Sequence, residues 1–352
     1  MIIMISIRPN YFDQFKCEGK ICGSRCCKGW KVAVDDAIYS KYCNIKDIEL
    51  RQDILTNVEN ANDHSRYIKF SADRCAFLDD DYLCRIQKHC GEDYLTAICH
   101  SYPRVSYNLG GILEQSLTLT CPLAARLILL PKTPMEFEEV ETELPRQIFD
   151  WTNKLTISVD IAVSLQATAI SILQNRSIDF NERLLRLCLL LQDNSLNEKI
   201  NPTFKSDKHM EIMLNIFDEM YNANLTKEKA ETLKKIWINY HSVILQRLMD
   251  SYSHIFENYL ANEFFMRCYP FAFKGGLWKN CKVFITSYKF VEFALVLTAI
   301  SKNGFVTAEE FLAMIDAINE KLDHSRGGMN AICNFVDDVN DVAEFLQLMI
   351  DL

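Results

Sequence analysis

Cysteine is the residue type in this chain whose number and spacing point to chemistry. The sequence has 14 cysteines in 352 residues, and ten of them precede residue 122. Four thiols fall within the eleven residues from Cys17 to Cys27, in a glycine-containing stretch whose backbone can curl and direct several sulfurs toward one point. Thiols gathered in this way bind metals or form disulfides, so we expect one of these two outcomes for residues 17–121.

The amino terminus helps to decide between disulfides and a metal. Residues 1–7 are apolar, but no Lys or Arg precedes them and no small-residue cleavage site follows, so we predict no signal peptide. A chain without one is expected in the cytoplasm, where thiols stay reduced, and metal ligation is therefore favoured. The same short segment is expected to form a first strand packed on the core, with peripheral contact to a membrane surface as the alternative.

Eight of the early cysteines have local surroundings typical of metal ligands. They are Cys17, Cys22, Cys26, Cys27, Cys75, Cys84, Cys99 and Cys121. Eight thiolates are twice what one four-iron cluster or one structural zinc requires, so two sites and one site plus reactive thiols both remain open. The number of sulfurs does not separate iron from zinc, but the lack of C-x2-C pairs and the proline after Cys121 favour an iron–sulfur cluster.

The other cysteines are expected to be structural. Cys43 follows two tyrosines on a predicted short helix and is predicted to pack in the core. Cys90 stands beside a histidine before a turn and is either a spare ligand or a bystander. The last four lie in apolar helical contexts and are predicted to be core residues: Cys188, Cys268, Cys281 and Cys333.

The elements that position the thiols are predicted to be short. Residues 30–34 alternate as a strand does, and Asp35 and Asp36 are placed to cap a short helix through Tyr42. A polar helix is predicted over residues 47–60. Two alternating runs over residues 104–119, joined by two glycines, predict a β-hairpin whose ends bring Cys99 and Cys121 together.

A boundary is predicted over residues 131–146, which hold three prolines and five glutamates. Beyond it the apolar spacing becomes helical, and Thr307 and Glu310 form a capping box that opens one of the later helices. The fold class is therefore α+β and mostly α. We predict a small cysteine-rich metal domain over residues 1–130, with strands and a hairpin, followed by a helical domain over residues 131–352.

The charge and hydropathy of the chain exclude two classes of partner. A formal net charge of −9 argues against nucleic acid, because a general nucleic-acid binder needs a basic face that displaces counterions. The apolar run over residues 290–300 contains Glu292 and is well short of the roughly 20 residues of a membrane span. We therefore predict neither nucleic-acid binding nor a membrane span.

The cysteine frames and their neighbours resemble the FliB family of flagellin lysine N-methylases, which shares its cysteine pattern with a broader YkgJ-like group of metal-binding proteins. The matching stretches are residues 15–30, 75–79, 83–84, 91–92, 99–104 and 116–126, with a helical element over residues 257–262 followed by Tyr269 and Pro270. The eight cysteines set apart above are the ones that match this pattern.

The resemblance implies an enzyme that transfers a methyl group from S-adenosylmethionine to lysine side chains of flagellin and requires a four-iron (4Fe–4S) cluster. The same cysteine pattern also occurs in proteins of no assigned activity. The alternative is therefore a non-enzymatic scaffold or metal-handling protein that binds zinc or an iron–sulfur cluster.

Methyl transfer to lysine needs a neutral amine, and the ordinary lysine pKa of about 10.4 keeps that amine charged at neutral pH. Candidates for assisting its deprotonation are Asp35, Glu92, Tyr102 and Glu114, with structural roles as a cap, a turn residue, a buried hydroxyl and a surface charge as the alternatives. Tyr102 and Arg104 are preferred because they follow Cys99 closely. Arg104 could hold the carboxylate of the methyl donor by paired hydrogen bonds, or satisfy core carboxylates.

Four further residues are candidates for binding the methyl donor. Glu257, Asn258 and Asn262 fall on one side of a predicted helix, where asparagine is mildly unfavourable and needs a local reason. That reason is either a shared binding groove or a tie between helix and loop. Trp30 could stack on an adenine or line a lysine channel, or it could be a core aromatic.

Overall fold

The chain folds as an α+β protein that is mostly helical, as predicted. The computed structural model describes residues 3–28, 31–63, 65–71, 74–192, 206–339 and 341–350. The strands are β1 (Ile3–Pro9), β2 (Val58–Asn60), β3 (Arg66–Ile68), β4 (Phe70–Ser71), β5 (Arg74–Cys75), β6 (Arg104–Leu109), β7 (Ile112–Leu117), β8 (Phe137–Glu143) and β9 (Phe149–Asp150). The early helices are α1 (Gly19–Cys22), α2 (Asp36–Cys43), α3 (Ile48–Thr56), α4 (Arg85–Cys90), α5 (Ala97–Ser101) and α6 (Pro122–Leu129). The later helices are α7 (Val159–Leu173), α8 (Phe180–Leu191), α9 (Ser206–Tyr221), α10 (Lys227–Met266), α11 (Gly276–Ser301), α12 (Ala308–His324), α13 (Arg326–Asp338) and α14 (Val342–Met349).

One sheet of five strands carries the predicted hairpin. Its order is β8-β1-β7-β6-β9, with β1 parallel to β7 and the other central pair, β6 and β7, antiparallel. Leu109 pairs with Ile112, so Gly110 and Gly111 form a two-residue turn. Both glycines have positive φ, 64° and 109°, as a turn that matches the right-handed twist of the strands requires. The first strand is also confirmed, over residues 3–9.

The prediction of a linker over residues 131–146 was wrong for its central part. Residues 137–143 form β8, which pairs antiparallel with all of β1 and lies at one end of the sheet. The glutamates that suggested a loop are mostly solvent-facing positions of this strand. Charged side chains are common on edge strands because they block pairing with other chains, so a glutamate-rich strand resembles a loop in composition.

Two short predictions in the cysteine region also need correction. Residues 31–34 were predicted to lie in a strand, but they form only an isolated bridge to β3 at Ala33. Two hydrogen bonds flank this bridge: Val34 N donates to the Arg66 carbonyl at 2.8 Å, and Ile68 N donates to the Val32 carbonyl at 2.9 Å. The polar helix ends at Thr56 and is followed by β2. The short helix α2 is confirmed, with the Asp35 carboxylate accepting from the Ile38 amide at 2.8 Å.

The helical character predicted for the chain beyond the proposed boundary is confirmed by α7 to α14. Helix α10 runs for 40 residues and is interrupted at Tyr252, whose φ of −134° is not helical. Helix α12 begins with the predicted capping box, in which Glu310 N donates to Thr307 Oγ1 and Thr307 N donates to Glu310 Oε2.

Two large hydrophobic cores organise the described part of the chain. The smaller core is built from residues 32–95, around side chains such as Tyr42 and Phe77. The larger core joins the helices from α6 onward to residues that precede them, including Tyr11 and Leu117. The larger core thus draws side chains from both sides of residue 130, and the division into domains at that residue stays a prediction.

Helix α11 is the centre of the larger core. By length and hydropathy it is the one helix of the described chain that could cross a membrane, and 78% of its most apolar 18-residue window is buried in the protein. Glu292 and Lys289, both within it, form a buried ion pair at 3.0 Å. Packing in the core therefore accounts for its apolar surface.

The core prediction for the late cysteines is confirmed for Cys188, Cys268 and Cys281, which are buried, while Cys333 is half-buried. The prediction for Cys43 was wrong, because its side chain is exposed. Helix α2 buries Ile38 and Tyr42, and the next residue along a helix points about 100° away from such a face.

Replacing Thr307 with alanine should lower the free energy of unfolding by about 1 kcal/mol, because an amide of the first turn of α12 loses its side-chain acceptor. Urea denaturation measures the change. The control is Thr168→Ala in α7, whose exposed hydroxyl bonds only the Ser164 carbonyl, with an expected change within about 0.5 kcal/mol. Equal losses in both variants would contradict the capping role.

Candidate metal centre and adjoining pocket

All eight predicted ligand cysteines line one cavity. Its volume is about 400 Å³, and the rest of its wall is mainly apolar, with Tyr42, Phe77, Leu95 and Tyr102 among the contributors. Cys43 and Cys90 lie outside the lining. The eight sulfurs are contributed by residues up to 104 positions apart in sequence, from Cys17 to Cys121, and the fold brings them to one place.

Short elements present these thiols to the cavity. The segment from Cys17 to Cys27 contains α1 and a 3₁₀ turn, separated by Gly23 and Ser24 in the left-handed region. Cys75 lies in β5 and pairs with Phe70. Cys99 lies in α5, and Cys121 follows the end of the hairpin. Both line the cavity, and their close approach to each other stays a prediction.

Two of the cavity cysteines lie at helix amino termini. Cys84 is the N-cap of α4 and Cys121 is the N-cap of α6. Burial raises the pKa of both thiols, and backbone amides of the first turn offset part of that rise, from Gln87 and Ile86 for Cys84 and from Leu123 and Ala124 for Cys121. Free amides at a helix start stabilise a thiolate, so these positions suit a cysteine that must lose its proton.

Burial opposes that ionisation. Desolvation raises the pKa of Cys121 to about 11 and that of Cys99 to about 12, with neighbouring thiols adding to the effect. Cys26 differs, because a hydrogen bond from Cys27 lowers its pKa to about 7. Most of the thiols are thus held neutral until a cation compensates for the loss of their protons.

The donor set fits a thiolate-bound metal. Four sulfurs suffice for a four-iron cluster or a structural zinc, and the cavity wall offers eight. Among the described residues, no three Cys, His, Asp or Glu side chains are already gathered around a point where an ion could sit. Binding of a metal would therefore require rotation of the cysteine side chains.

A second, polar pocket of about 500 Å³ adjoins the cysteine cavity. The two share six residues: Phe15, Cys17, Gln87, Leu95, Cys99 and Tyr102. The polar pocket is further lined by the cationic side chains Lys16, Arg104 and Arg146, by His100 and by Glu92. Of these pocket residues, Arg104 and Glu92 were candidates from the sequence, whereas Lys16, His100 and Arg146 were not. Arg146 belongs to the segment after β8, which was predicted to be part of a linker.

Tyr102 and Arg104, the preferred catalytic candidates, both reach this region. Tyr102 lines both cavities, and its hydroxyl oxygen lies 3.2 Å from Thr120 Oγ1. Burial raises the pKa of Tyr102, so the hydroxyl keeps its proton at neutral pH. Arg104 lies in the polar pocket over the rings of Phe12 and Phe15 and donates to the Phe15 carbonyl at 3.3 Å. Tyr102 is thus placed as a hydrogen-bond donor, and Arg104 as an anion-binding group.

Asp35, a predicted catalytic residue, does not line the cysteine cavity or the polar pocket. Its side chain is exposed, caps α2 and lines a separate surface pocket with Arg66 and Ala97, away from the cysteine cavity. The sequence predicted that Asp35 and Asp36 cap a short helix, and the structure supports this role for Asp35 as the N-cap of α2.

The helical candidates for binding the methyl donor act as structural ties. Glu257 is buried and accepts from Arg176 at 2.8 Å and from Arg183 at 2.9 Å. Asn258 donates to the Pro131 carbonyl at 2.8 Å, and Asn262 accepts from the Tyr11 hydroxyl.

These three side chains bond to different segments and line neither the cysteine cavity nor the polar pocket. The expectation that they converge on one groove is therefore corrected in favour of the helix-to-loop alternative. Trp30, the fourth candidate, lies outside the described residues.

Glu114 was expected to be a surface charge of the hairpin if it had no catalytic role, but it is buried. Its carboxylate accepts from Gln166 at 3.3 Å, and Gln166 also donates to the Tyr269 carbonyl at 3.2 Å. Burial raises the pKa of Glu114 to about 8. Because the sheet is covered on both faces at this position, alternation along the hairpin did not reveal the burial.

Replacing Glu257 with glutamine should lower the free energy of unfolding by about 3 kcal/mol, because Arg183 would stay buried without its counter-charge. The control is Glu182→Gln, which removes an exposed pair with Arg186 and should cost about 0.5 kcal/mol or less. Chemical denaturation gives both values. A stable Glu257→Gln protein that no longer binds S-adenosylmethionine would restore the cofactor-binding prediction.

Glu114 should make stability depend on pH. Its folded pKa of about 8 lies above the ordinary value of 4.5, so its stabilising contribution is complete below about pH 4.5 and is lost as the pH rises through about 8. In Glu114→Gln this decrease, up to about 1.4 kcal/mol per pH unit, should disappear. Denaturation curves over this pH range measure it, and parallel curves for the two proteins would contradict a protonated Glu114.

Comparison with known proteins identifies relatives of the chain. Residues 194–350 match the model of the FliB lysine N-methylase C-terminal domain. A lysine-N-methylase of Salmonella typhimurium is 35% identical over 136 residues, which is 37% of this chain and 34% of that protein, and a lysine-N-methylase of Salmonella choleraesuis is 35% identical over the same extent. The alignment thus spans about a third of the length of these two relatives.

The flagellar biosynthetic protein FliU of Salmonella muenchen is 36% identical over 126 residues, which is 34% of this chain and 75% of that protein. No solved structure matches the chain. Because three quarters of FliU is matched at this identity, and because the family model covers the carboxyl-terminal helices, the chain belongs to the FliB family of lysine N-methylases.

Proposed function

We propose that this chain is a protein-lysine N-methyltransferase that transfers a methyl group from S-adenosylmethionine to lysines of flagellin and requires a thiolate-bound iron–sulfur cluster. The observation that carries the proposal is the shared wall between the eight-cysteine cavity and the polar pocket. The thiols that would hold the metal and a pocket with cationic side chains in its wall thus adjoin each other. The names of the relatives, two lysine-N-methylases and a flagellar biosynthetic protein, support the reaction and the substrate.

The polar pocket suits the methyl donor. Its volume of about 500 Å³ falls within the roughly 300–1,000 Å³ typical of small-molecule sites. S-adenosylmethionine carries a carboxylate, and three cationic side chains of the pocket, Lys16, Arg104 and Arg146, can receive it. Arg146 already donates to the Glu92 carbonyl and pairs with Asp93, so Arg104 has the freer guanidinium.

The reaction forms a bond between the lysine nitrogen and the methyl carbon and breaks the bond between that carbon and the sulfonium sulfur. The sulfur leaves as a neutral thioether, and the amine must give up a proton to a base. Glu92 is the carboxylate in the wall of the polar pocket, where Gln87 Nε2 donates to it at 3.2 Å. We assign proton acceptance to Glu92, because Tyr102 keeps its own proton and Asp35 lies elsewhere.

The cluster would be held by four of the eight thiolates. When bound, such a cluster supplies one-electron chemistry and an iron atom able to accept a polar ligand. Zinc is the alternative metal for the same donor set. We place the protein in a reducing cytoplasm, where flagellin is synthesised and thiols remain available to the metal.

Protein purified without oxygen and supplied with iron and sulfide should transfer isotope-labelled methyl groups from S-adenosylmethionine to flagellin. Mass spectrometry should find the label on lysine-containing peptides. Arg104→Gln should weaken donor binding about tenfold or more, since a charge-assisted hydrogen bond contributes about 1.5–3 kcal/mol. The matched control is Arg66→Gln, which removes a surface arginine paired with Asp36 and should leave binding unchanged.

Two results would contradict the proposal. One is a metal-loaded protein that neither binds S-adenosylmethionine nor labels flagellin, which would leave a metal-binding scaffold as the function. The other is undiminished donor binding in the Arg104→Gln protein, which would move the donor out of the polar pocket.

A further inference from the structure

The eight-cysteine cavity lies between the two large hydrophobic cores of the protein. Cys75 is buried in the smaller core, and three more cysteines pack against that core from the cavity side: Cys27, Cys84 and Cys99. Cys121 belongs instead to the larger core, together with Phe15 and Ala124. Packing thus places Cys121 and the other four thiols in different hydrophobic cores.

The electrostatic influence of the thiols on one another follows the same division except at Cys26, which acts on Cys75, Cys84 and Cys99 as well as on Cys17 and Cys121. The thiols that act most strongly on Cys99 are Cys84, Cys75 and Cys26. Cys27 has Cys75 and Cys99 nearby, besides its sequence neighbour Cys26.

The thiols that act most strongly on Cys121 are Cys22 and Cys26, and the same two act on Cys17. Cys26 is close to both groups, and Cys26 and Cys27 are consecutive residues in contact. Cys26 and Cys27 therefore lie between the two groups of thiols, and each group can use one of these two sulfurs as a ligand.

We propose that the cavity holds two separate metal centres, each bound by four thiolates. One set is Cys17, Cys22, Cys26 and Cys121, here called the outer set, and the other is Cys27, Cys75, Cys84 and Cys99, here called the inner set. Four sulfurs satisfy either a four-iron cluster or a tetrahedral zinc, so two such centres use all eight thiols. The inference rests on the proposed function only in taking the cavity to bind thiophilic metal.

The two centres differ in access. Cys17 is exposed, whereas the inner set contains no exposed thiol. One member of each set, Cys17 and Cys99, also lines the polar pocket. By exposure, the outer centre is the one expected to lose metal first. The inner centre, enclosed by the smaller core, stabilises the fold of residues 32–95.

Double variants test the division most sharply. In protein purified without oxygen, we measure iron, zinc and acid-labile sulfide per chain, and we weigh the intact metal-loaded protein by native mass spectrometry. The single variant Cys121→Ser should lose the outer centre and keep the inner one. The double variant Cys17→Ser with Cys121→Ser should lose no more metal than the single variant, because both residues belong to the outer set. Cys121→Ser combined with Cys75→Ser should lose both centres.

Two controls and a second pair of variants keep the result interpretable. Cys43→Ser and Cys188→Ser remove cysteines outside the cavity and should keep both centres. Circular dichroism verifies folding. If Cys75→Ser fails to fold, Cys99→Ser takes its place, and Cys17→Ser takes the place of Cys121→Ser.

The inference is overturned if the wild-type chain holds metal for a single centre, or if one folded variant of either set loses all metal. The two-centre inference and the proposed function can each be refuted without refuting the other. Flagellin methylation by a chain with one centre would refute the two-centre inference alone. A chain with two centres and no methylation would refute the methyltransferase alone.

Discussion

The structure depends on the cost of bringing eight thiols into one apolar cavity. Burial keeps most of them protonated, and neighbouring thiols oppose further ionisation, so a cluster of thiolates cannot persist there without a cation. A metal reverses this balance, because each thiolate that loses its proton gains a bond to the cation. In the proposed metal-bound protein, the free energy of metal binding would be part of the folding free energy of the segments that carry the cysteines. Those segments are short, with helices of four to eight residues, and have little stability of their own.

The larger core supplies the rigid frame that the cysteine segments lack. Arg25, within the first cysteine segment, pairs with Asp316 and Glu320 of α12, and Tyr11 bonds to Asn262 of α10. These contacts fix one wall of the cavity to the helices. The polar pocket forms where this wall meets the sheet, so its cationic side chains lie beside the thiols.

Features set by local sequence could be predicted, and features set by tertiary contact could not. The ligand cysteines and the hairpin glycines have recognisable neighbours in sequence, so the eight cavity thiols and the turn were identified in advance. Glu257 and Asn262 had equally suggestive spacing, but their partners come from distant segments, and only the fold shows that they tie elements together. Arg146 carried no local signal, because its place in the polar pocket depends on the pairing of β8 with β1.

X-ray absorption at the iron and zinc edges, on protein purified without oxygen, tests the central claim most directly. The account predicts that the bound metal is surrounded by sulfur alone, with neighbouring iron atoms if the centre is a cluster and a distance of about 2.3 Å to sulfur if it is zinc. A first shell of nitrogen and oxygen would contradict it, and so would a metal-free chain whose cavity cysteines are joined as disulfides.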